Sequence, residues 1–575
     1  MPIIDFHGKK AIQNYEPPYH ILEEIPELGF QSTVEGNSRD NILIEGDNLL
    51  ALKSLLPEYE RKIKCIYIDP PYNTNNKDWV YCDNIEITSK NDPAWKQVEK
   101  FLKDGNEIDY NDSSRHSKWL CMMYPRLKLL HRLLKDDGVI FVSIDKNESH
   151  HLLMILNEIF GEDNFISQIT IQVNKGGRDY LAIAETHEYL LCYTKSNKSE
   201  IGQLDKMDNS LNFEDSKGAY ELRELRNRNP RFNRGNRPNL FYPFFINPNS
   251  KNELNECCVS LEKNLIYSVE TFPKNSKNED GCWRWGKEKS LKNIKNNLDS
   301  SQVVARQKRD GGWNIYEKSR KSTTKAKSIW EETEVRTEQG TIDLREIEMG
   351  KMFDHPKPVY LIQKCLTLTT GENDIVLDSF GGSGTTAHAL LNLNIEDGAH
   401  RKFITVQLPE VIKEDKPAYM AGYRYVHEIT KARIEKVAGG YTNSKGEKVE
   451  GLGGSFKYYR IGTPLFTKKG GDIVSTVKWE QLAPYIYFTE FKNVLENKDF
   501  TKKPVVGKFN EIELVLLYKE PNTNTLTEDL IIELNKQSKN KKVIYADKLE
   551  LGLDADFLRD SGVIFKQIPY DILSI

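Results

Sequence analysis

The sequence predicts an α/β fold built on a doubly wound, mostly parallel sheet, and three observations point to it. Short apolar, β-branched runs such as Lys62-Ile63-Lys64-Cys65-Ile66-Tyr67-Ile68 have the length and composition of buried strands. Helix-like stretches follow several of them. Two runs stop abruptly in chain-breaking motifs: Asp69-Pro70-Pro71-Tyr72 after the first, and Asp378-Ser379-Phe380-Gly381-Gly382-Ser383-Gly384 after Asp374-Ile375-Val376-Leu377. Open α/β sheets bind ligands at the carboxyl ends of their strands, so each motif marks a binding edge.

In chain order, residues 1–40 are polar and proline-containing and read as an arm laid on the main body. Residues 41–195 form the first half of the sheet domain. A strand at 41–45 leads through Gly46-Asp47 into an amphipathic helix at 48–56, where Asp47 is placed either to cap the helix or to face a ligand. Asp69 then ends its strand. The two prolines fix a stiff turn, and Pro70 presents a carbonyl with no amide hydrogen. A carboxylate, a carbonyl and the Tyr72 ring suit gripping a flat, amino-substituted ring, with two acceptors for its NH₂ and one face for stacking. The polar stretch from Asn73 to about residue 114 has the character of a loop that closes over substrate. A helix at 119–134 is expected to close at Gly138, with Met122, Met123 and Leu130 in the core. Strands at 139–145 and 188–193 follow, flanking the turn Lys175-Gly176-Gly177-Arg178.

Residues 196–345 break the pattern. They are polar and rich in Arg, Lys and Asn, with aromatics from Phe232 to Trp330 interleaved. Arg223, Arg226, Arg228, Arg231, Arg234 and Arg237 recur beside only two acids, Glu221 and Glu224. Arginine pairs with guanine edges and phosphates, so this insertion is expected to read DNA, although charged segments are commonly plain solvated surface. The α/β pattern resumes over 346–464. There Gly382 and Gly384 let backbone approach a ligand, and Thr385 opens a helix, which together make a nucleotide-type cradle. A GxxxxGK[ST] sequence is absent, so the cradle is not an ATP-binding P-loop. Residues 465–575 suggest a small C-terminal α/β domain.

Composition bounds the rest. The 575 residues imply two to four structural units, and 38% hydrophobic with 29% charged residues is ordinary for a soluble chain. Apolar runs fall short of the roughly 18 residues that span a membrane, and the eight scattered cysteines show no paired spacing, so a reduced cytoplasmic protein without a metal site is expected. The formal net charge of −4 argues weakly against nucleic acid, but local charge is the relevant test in a chain of this size.

The paired motifs resemble those of amino-methyltransferases that use S-adenosylmethionine to methylate DNA. With DPPY first and FxGxG, here Phe380-Gly381-Gly382-Ser383-Gly384, second, the order resembles the circularly permuted β class. The segments at 43–50, 118–127, 237–243 and 353–358 resemble, more narrowly, the modification subunits of type III restriction-modification systems. The resemblance implies a methyltransferase sheet, with 196–345 as target-recognition domain. It implies catalytic roles for Asp69, Pro70, Pro71 and Tyr72, and cofactor roles for Asp378, Phe380, Gly382, Gly384, Thr385, Gln407, Asp47 and Lys357. Gln407 departs from the acidic residue many relatives use for the ribose hydroxyls. Lys175 and Arg178 resemble a loop near a flipped base, where a solvated turn serves equally well. Double-stranded DNA, a homodimer and a separate ATP-dependent restriction subunit are the implied partners.

The expected reaction is methyl transfer to N6 of adenine. Cytosine C5 methylation needs a cysteine nucleophile, usually after proline, and none of the cysteines follows a proline. Cytosine N4 methylation or a solitary methylase is the alternative, and a catalytically silent DNA-binding scaffold is a reading from another class. Intact Asp69, Tyr72, Phe380, Gly382 and Gly384 speak against the scaffold.

Overall fold

The computed structural model describes residues 4–74 apart from 36, 38 and 39, then 93, 96, 114–176, 183–205, 211–443, 445–467, 471–519 and 524–568. Most of the stretch expected to close over substrate, and Arg178, lie outside these residues.

The chain forms two compact units, the first comprising Met1–Gly202 and Lys327–Ile575. Its centre is an eleven-stranded sheet. In chain order the strands are β1 (His20–Glu24), β2 (Phe30–Gln31), β3 (Asn41–Glu45), β4 (Ile63–Ile68), β5 (Leu134–Ile144), β6 (Phe165–Gln172), β7 (His187–Thr194), β8 (Ile329–Trp330), β9 (Ile375–Asp378), β10 (Lys402–Gln407) and β11 (Ser455–Pro464). Their spatial order is β1-β11-β3-β10-β9-β4-β5-β7-β6-β8, with β2 added beside β11. From β11 to β5 all neighbours run parallel, whereas β7 is antiparallel to both β5 and β6. Parallel strands covered on both faces need continuous apolar sequence, and β4 obeys: Ile63, Cys65, Ile66, Tyr67 and Ile68 are all buried.

The decisive pairing is β4 with β9. Ile63 and Ile66 sit opposite Ile375 and Leu377 in parallel register, so two segments distant in sequence leave the sheet at the same edge. Helix α1 (Asn48–Tyr59), α2 (Ser114–Leu133) and α3 (Ser149–Phe160) pack together as one group against the sheet, and α4 (Val359–Thr369), α5 (Thr385–Asp397) and α6 (Val426–Gly439) as another. Trp119, Leu127 and Leu130 of α2 join Leu49 and Leu52 of α1 and Ile66 and Ile68 of β4 in one fully buried cluster. Met122 and Met123 belong to it, as expected. Gly138 does not close α2, which ends at Leu133; it lies inside β5 at an irregular register with β4. A Cβ there would come 3.0 Å from the Ile63 carbonyl oxygen, so close strand approach explains the glycine.

The N-terminal arm adds β1 and β2 along β11, and the Lys9 ammonium pairs with Glu158 of α3 at 2.8 Å. Residues beyond 465 carry a four-stranded sheet of Val505–Phe509, Ile512–Leu516, Lys541–Ala546 and Val563–Gln567, over a core containing Trp479, Leu514 and Tyr545. Among the described residues, no helix is long and apolar enough to cross a membrane.

The second unit is Gln203–Ala326. Its largest sheet has four antiparallel strands in the order Val303–Gln307, Trp313–Ser319, Gly218–Glu224, Phe213–Asp215. Tyr242, Phe244 and Trp283 pack with Val303, Ala305 and Ile315 in its core, so several of the interleaved aromatics build this unit from within. Trp330 is buried in β8 of the first unit. The entry and exit segments pair antiparallel, Leu204 with Thr324 and Asp205 with Thr323.

Candidate active site

A cavity of about 510 Å³ opens at the edge where β4 and β9 end. Asp69, Pro70, Pro71 and Tyr72 line one side, and Asp378, Phe380, Gly382 and Thr385 line the other. All eight are residues the sequence proposes. Lys357 and Phe353, just before α4, complete the wall.

Lys357 organises the first side. Its buried ammonium donates to the Tyr72 hydroxyl at 2.6 Å and to Glu188 Oε1 at 2.6 Å, and lies 3.6 Å from Asp69 Oδ1. The Tyr72 hydroxyl donates in turn to Glu188 Oε2 at 3.2 Å, which fixes the ring. Asp69 Oδ1 is buried and has no hydrogen-bond partner among the described residues. A buried acceptor left open costs free energy, so it is a socket for a donor brought by a ligand. Burial pushes the Asp69 carboxyl up to about 6; Lys357 opposes that rise and Glu188 adds to it. Burial alone would pull the Lys357 ammonium down, but Asp69 and Glu188 hold it above its ordinary value, so it stays charged.

Behind the tetrapeptide stands a second carboxylate. Glu148, fully buried before α3, accepts from Asn73 Nδ2 at 2.5 Å, and its two oxygens lie 2.7 Å and 2.8 Å from Nδ1 of His116 and His151. Asn73 follows Tyr72 and sits at φ 60°, so this knot fixes how the chain leaves the tetrapeptide. Trp119 of α2 adds a 2.6 Å hydrogen bond to the Pro71 carbonyl. The donor atoms of His116, Glu148 and His151 lie within 4.8 Å of one another, close enough to hold a metal ion, and the hydrogen bonds to Glu148 account for that approach.

The glycine turn is also built from behind. Asp378 Oδ1 accepts from the Phe380 amide at 2.9 Å and Oδ2 from the Thr386 hydroxyl at 2.5 Å. Burial pushes this carboxyl up to about 7. Gly382 and Gly384 have φ of 51° and 82°, a region that costs other residues. A Cβ on Gly382 would sit 3.4 Å from the Phe353 ring, inside the space the cavity occupies. Arg433 of α6 is fully buried and donates to Ser383 Oγ and Thr385 Oγ1, each at 2.8 Å, and burial brings its guanidinium down to about 10. The turn at the amino end of α5 is therefore a rigid, backbone-lined cradle of the kind that admits a nucleotide-like ligand.

The remaining proposed residues are placed as follows. Asp47 caps α1, accepting from the Leu49 and Leu50 amides at 2.9 and 3.2 Å, and pairs with Arg126 at 3.1 Å. Gln407 is buried; its Oε1 accepts from the Gly382 amide at 2.7 Å and its Nε2 donates to the Leu408 carbonyl, so it braces the turn. Lys357, grouped from sequence with the cofactor residues, touches Tyr72 and Glu188. Within the second unit, Arg226 and Arg228 both bind Glu224, at 3.0 and 2.7 Å, and Arg228 above all holds that carboxyl down at about 2. Arg234 pairs with Asp280 at 3.5 Å and stacks 4.8 Å from Phe241, and Arg237 lies 5.8 Å from Phe232. Arg223, Arg231 and Lys175 are exposed. Glu148, Glu188, Phe353 and Arg433 went unread as site residues. Glu188 carried a signal, being an acid at the head of an apolar strand.

The family described as DNA methylase matches residues 63–416. Over 435 residues the chain is 36% identical to the type III restriction-modification enzyme EcoPI Mod subunit of Escherichia phage P1, covering 73% of this chain and 65% of that one. Over 439 residues it is 33% identical to the type II methyltransferase M.KpnI of Klebsiella pneumoniae, covering 74% and 96%. The chain thus spans just under two thirds of the phage subunit's length. Among solved structures, the PvuII DNA methyltransferase (cytosine-N4-specific) is similar at 12% identity and a TM-score of 0.31, covering 73% of this chain and 99% of that one.

Proposed function

The chain belongs to the DNA methylase family, and from that premise we propose that it is a site-specific, adenine-specific DNA methyltransferase that uses S-adenosylmethionine. The carrying observation is Asp69 Oδ1, a buried acceptor with no hydrogen-bond partner among the described residues, set at a strand end beside the glycine turn. When bound, S-adenosylmethionine supplies a methyl group on a sulfonium, and that carbon–sulfur bond breaks as the amine nitrogen forms its new bond. Phe380, Gly382 and Thr385 hold the cofactor, and Asp378 and Gln407 keep the turn in shape. Asp69 accepts one N6–H of a flipped-out adenine and the Pro70 carbonyl accepts the other, which draws the lone pair out of the ring. Tyr72, its hydroxyl tethered by Lys357 and Glu188, stacks on the base and offsets part of the unstacking cost. The proton that N6 sheds passes to Asp69, whose raised pKa suits it to take a proton near neutrality. Positioning and electrostatics carry the catalysis.

The DPPY-before-FxGxG order supports the circularly permuted β-class arrangement, and the second unit is the target-recognition domain. The similarity to the phage subunit supports a type III modification subunit, acting as a homodimer with a separate ATP-dependent restriction subunit in the cytoplasm. A methylase without such a partner is the second reading, favoured because the chain covers 96% of a type II methyltransferase. Purified protein, labelled S-adenosylmethionine and plasmid DNA test the reaction. Digestion to nucleosides should yield N6-methyl-2′-deoxyadenosine as the labelled product, and none with Asp69→Asn. Labelled N4-methylcytosine would overturn the base assignment, and copurification with an ATPase would decide between the two systems.

A further inference from the structure

Half of the basic run expected to contact DNA is tied up within its own unit, because Glu224 and Asp280 take Arg226, Arg228 and Arg234. A different element presents its cationic side chains at an exposed turn. Val303–Gln307 and Trp313–Ser319 pair antiparallel within the four-stranded sheet, and beyond Ile315, where pairing with Gly218–Glu224 has ended, Arg306 opposite Asn314 and Gln307 opposite Trp313 carry the hairpin on as a two-stranded ribbon. The root of the ribbon is rigid: Ala305 and Ile315 are buried in the core of the unit and Trp313 packs against it. The tip is preformed. Lys308 N donates to Gly312 O at 2.7 Å, Gly311 N to Lys308 O at 3.1 Å, and Asp310 Oδ1 accepts from Gly312 N at 2.9 Å. Gly311 has φ 84°. Residues Gln307 to Gly311 are all exposed. Arg309 has no acidic partner among the described residues, and Lys308 meets only the exposed Asp310, at 3.4 Å.

We propose that this hairpin is the part of the insertion that enters the major groove of double-stranded DNA, with Arg309 and Gln307 reading base edges and Lys308 meeting phosphate. The inference rests on the DNA methylase reading and deepens it. A two-stranded ribbon fits the major groove, arginine grips guanine O6 and N7 in a bidentate fork, and glutamine does the same for adenine N6 and N7. A stiff turn held by its own backbone bonds loses little entropy on binding, so its side chains arrive already aimed.

The test compares fluorescently labelled duplexes that carry the methylated motif of the wild-type protein with scrambled duplexes of equal length. Arg309→Ala should lose about 5- to 150-fold of the preference for its own motif. It should also relax the methylated sequence at one position, at unchanged S-adenosylmethionine affinity and thermal midpoint. Lys308→Ala should weaken both duplexes alike and reduce the salt slope by about one. Arg226→Ala with Arg228→Ala should leave the preference intact. Arg309→Ala and Gln307→Ala proteins that keep wild-type preference and motif would overturn the hairpin's role while the methylase reading stands. Wild-type protein that methylates no duplex would overturn both.

Discussion

Asp69 must be ionised to accept an amine hydrogen, yet its surroundings favour the neutral acid. With the carboxyl raised to about 6, kcat/KM should rise with pH through about 6 and then level. Its two charged neighbours pull in opposite directions. Lys357→Met removes the cation that lowers this pKa, so the limb moves to higher pH; Glu188→Gln removes an anion that raises it, so the limb moves lower. A pH–rate profile of each variant checks both signs. The same shift bears on stability. The folded protein binds a proton at Asp69 more tightly than the unfolded chain, whose value is near 3.8, so stability falls as pH rises from about 4 through 6. Asp69→Asn should therefore melt higher than wild type at pH 8, with the difference shrinking towards pH 4, while methylation drops at least about a hundredfold. Scanning calorimetry at the two pH values separates these effects.

Local elements were the readable part of the sequence. The strand at 62–68, the proline turn and the glycine turn each follow from neighbours within a few residues. Long-range partners were not readable: Gly138 is glycine because β4 passes close by, and Glu148 and Arg433 matter through side chains far along the chain. The resemblance implies cofactor roles for Asp47, with a helix cap as the alternative, and for Gln407, and local sequence cannot distinguish a cap or a brace from a ligand contact. Two predictions belong here. Gly384→Ala puts a Cβ 3.1 Å from the Thr430 carbonyl at φ 82° and should weaken S-adenosylmethionine about tenfold by titration calorimetry. Glu148→Gln replaces one accepting oxygen with a donor facing Asn73 or an imidazole. It should lower kcat with little change in affinity for S-adenosylmethionine or DNA, because the knot positions Tyr72 from behind and does not line the cavity. Equal losses in kcat and in both affinities would instead mean general collapse of the site.

At the scale of the molecule, one sheet brings the two motifs together and a second unit is threaded into the chain between them. Leu204–Asp205 pairs with Thr323–Thr324, so the ends of the insertion lie side by side. Replacing the residues between those two pairs with a short Gly/Ser linker should leave S-adenosylmethionine binding within about twofold and abolish specific DNA binding, as calorimetry and gel shift would show. The account as a whole turns on Asp69 presenting an open acceptor to an adenine amine. Single-molecule sequencing of host DNA with the gene intact, deleted, or carrying Asp69→Ala tests that claim most directly. The account predicts N6-methyladenine in one short motif, present with the intact gene and lost in both other strains. A mark that survives Asp69→Ala, or no gene-dependent adenine mark from well-expressed protein, would contradict it.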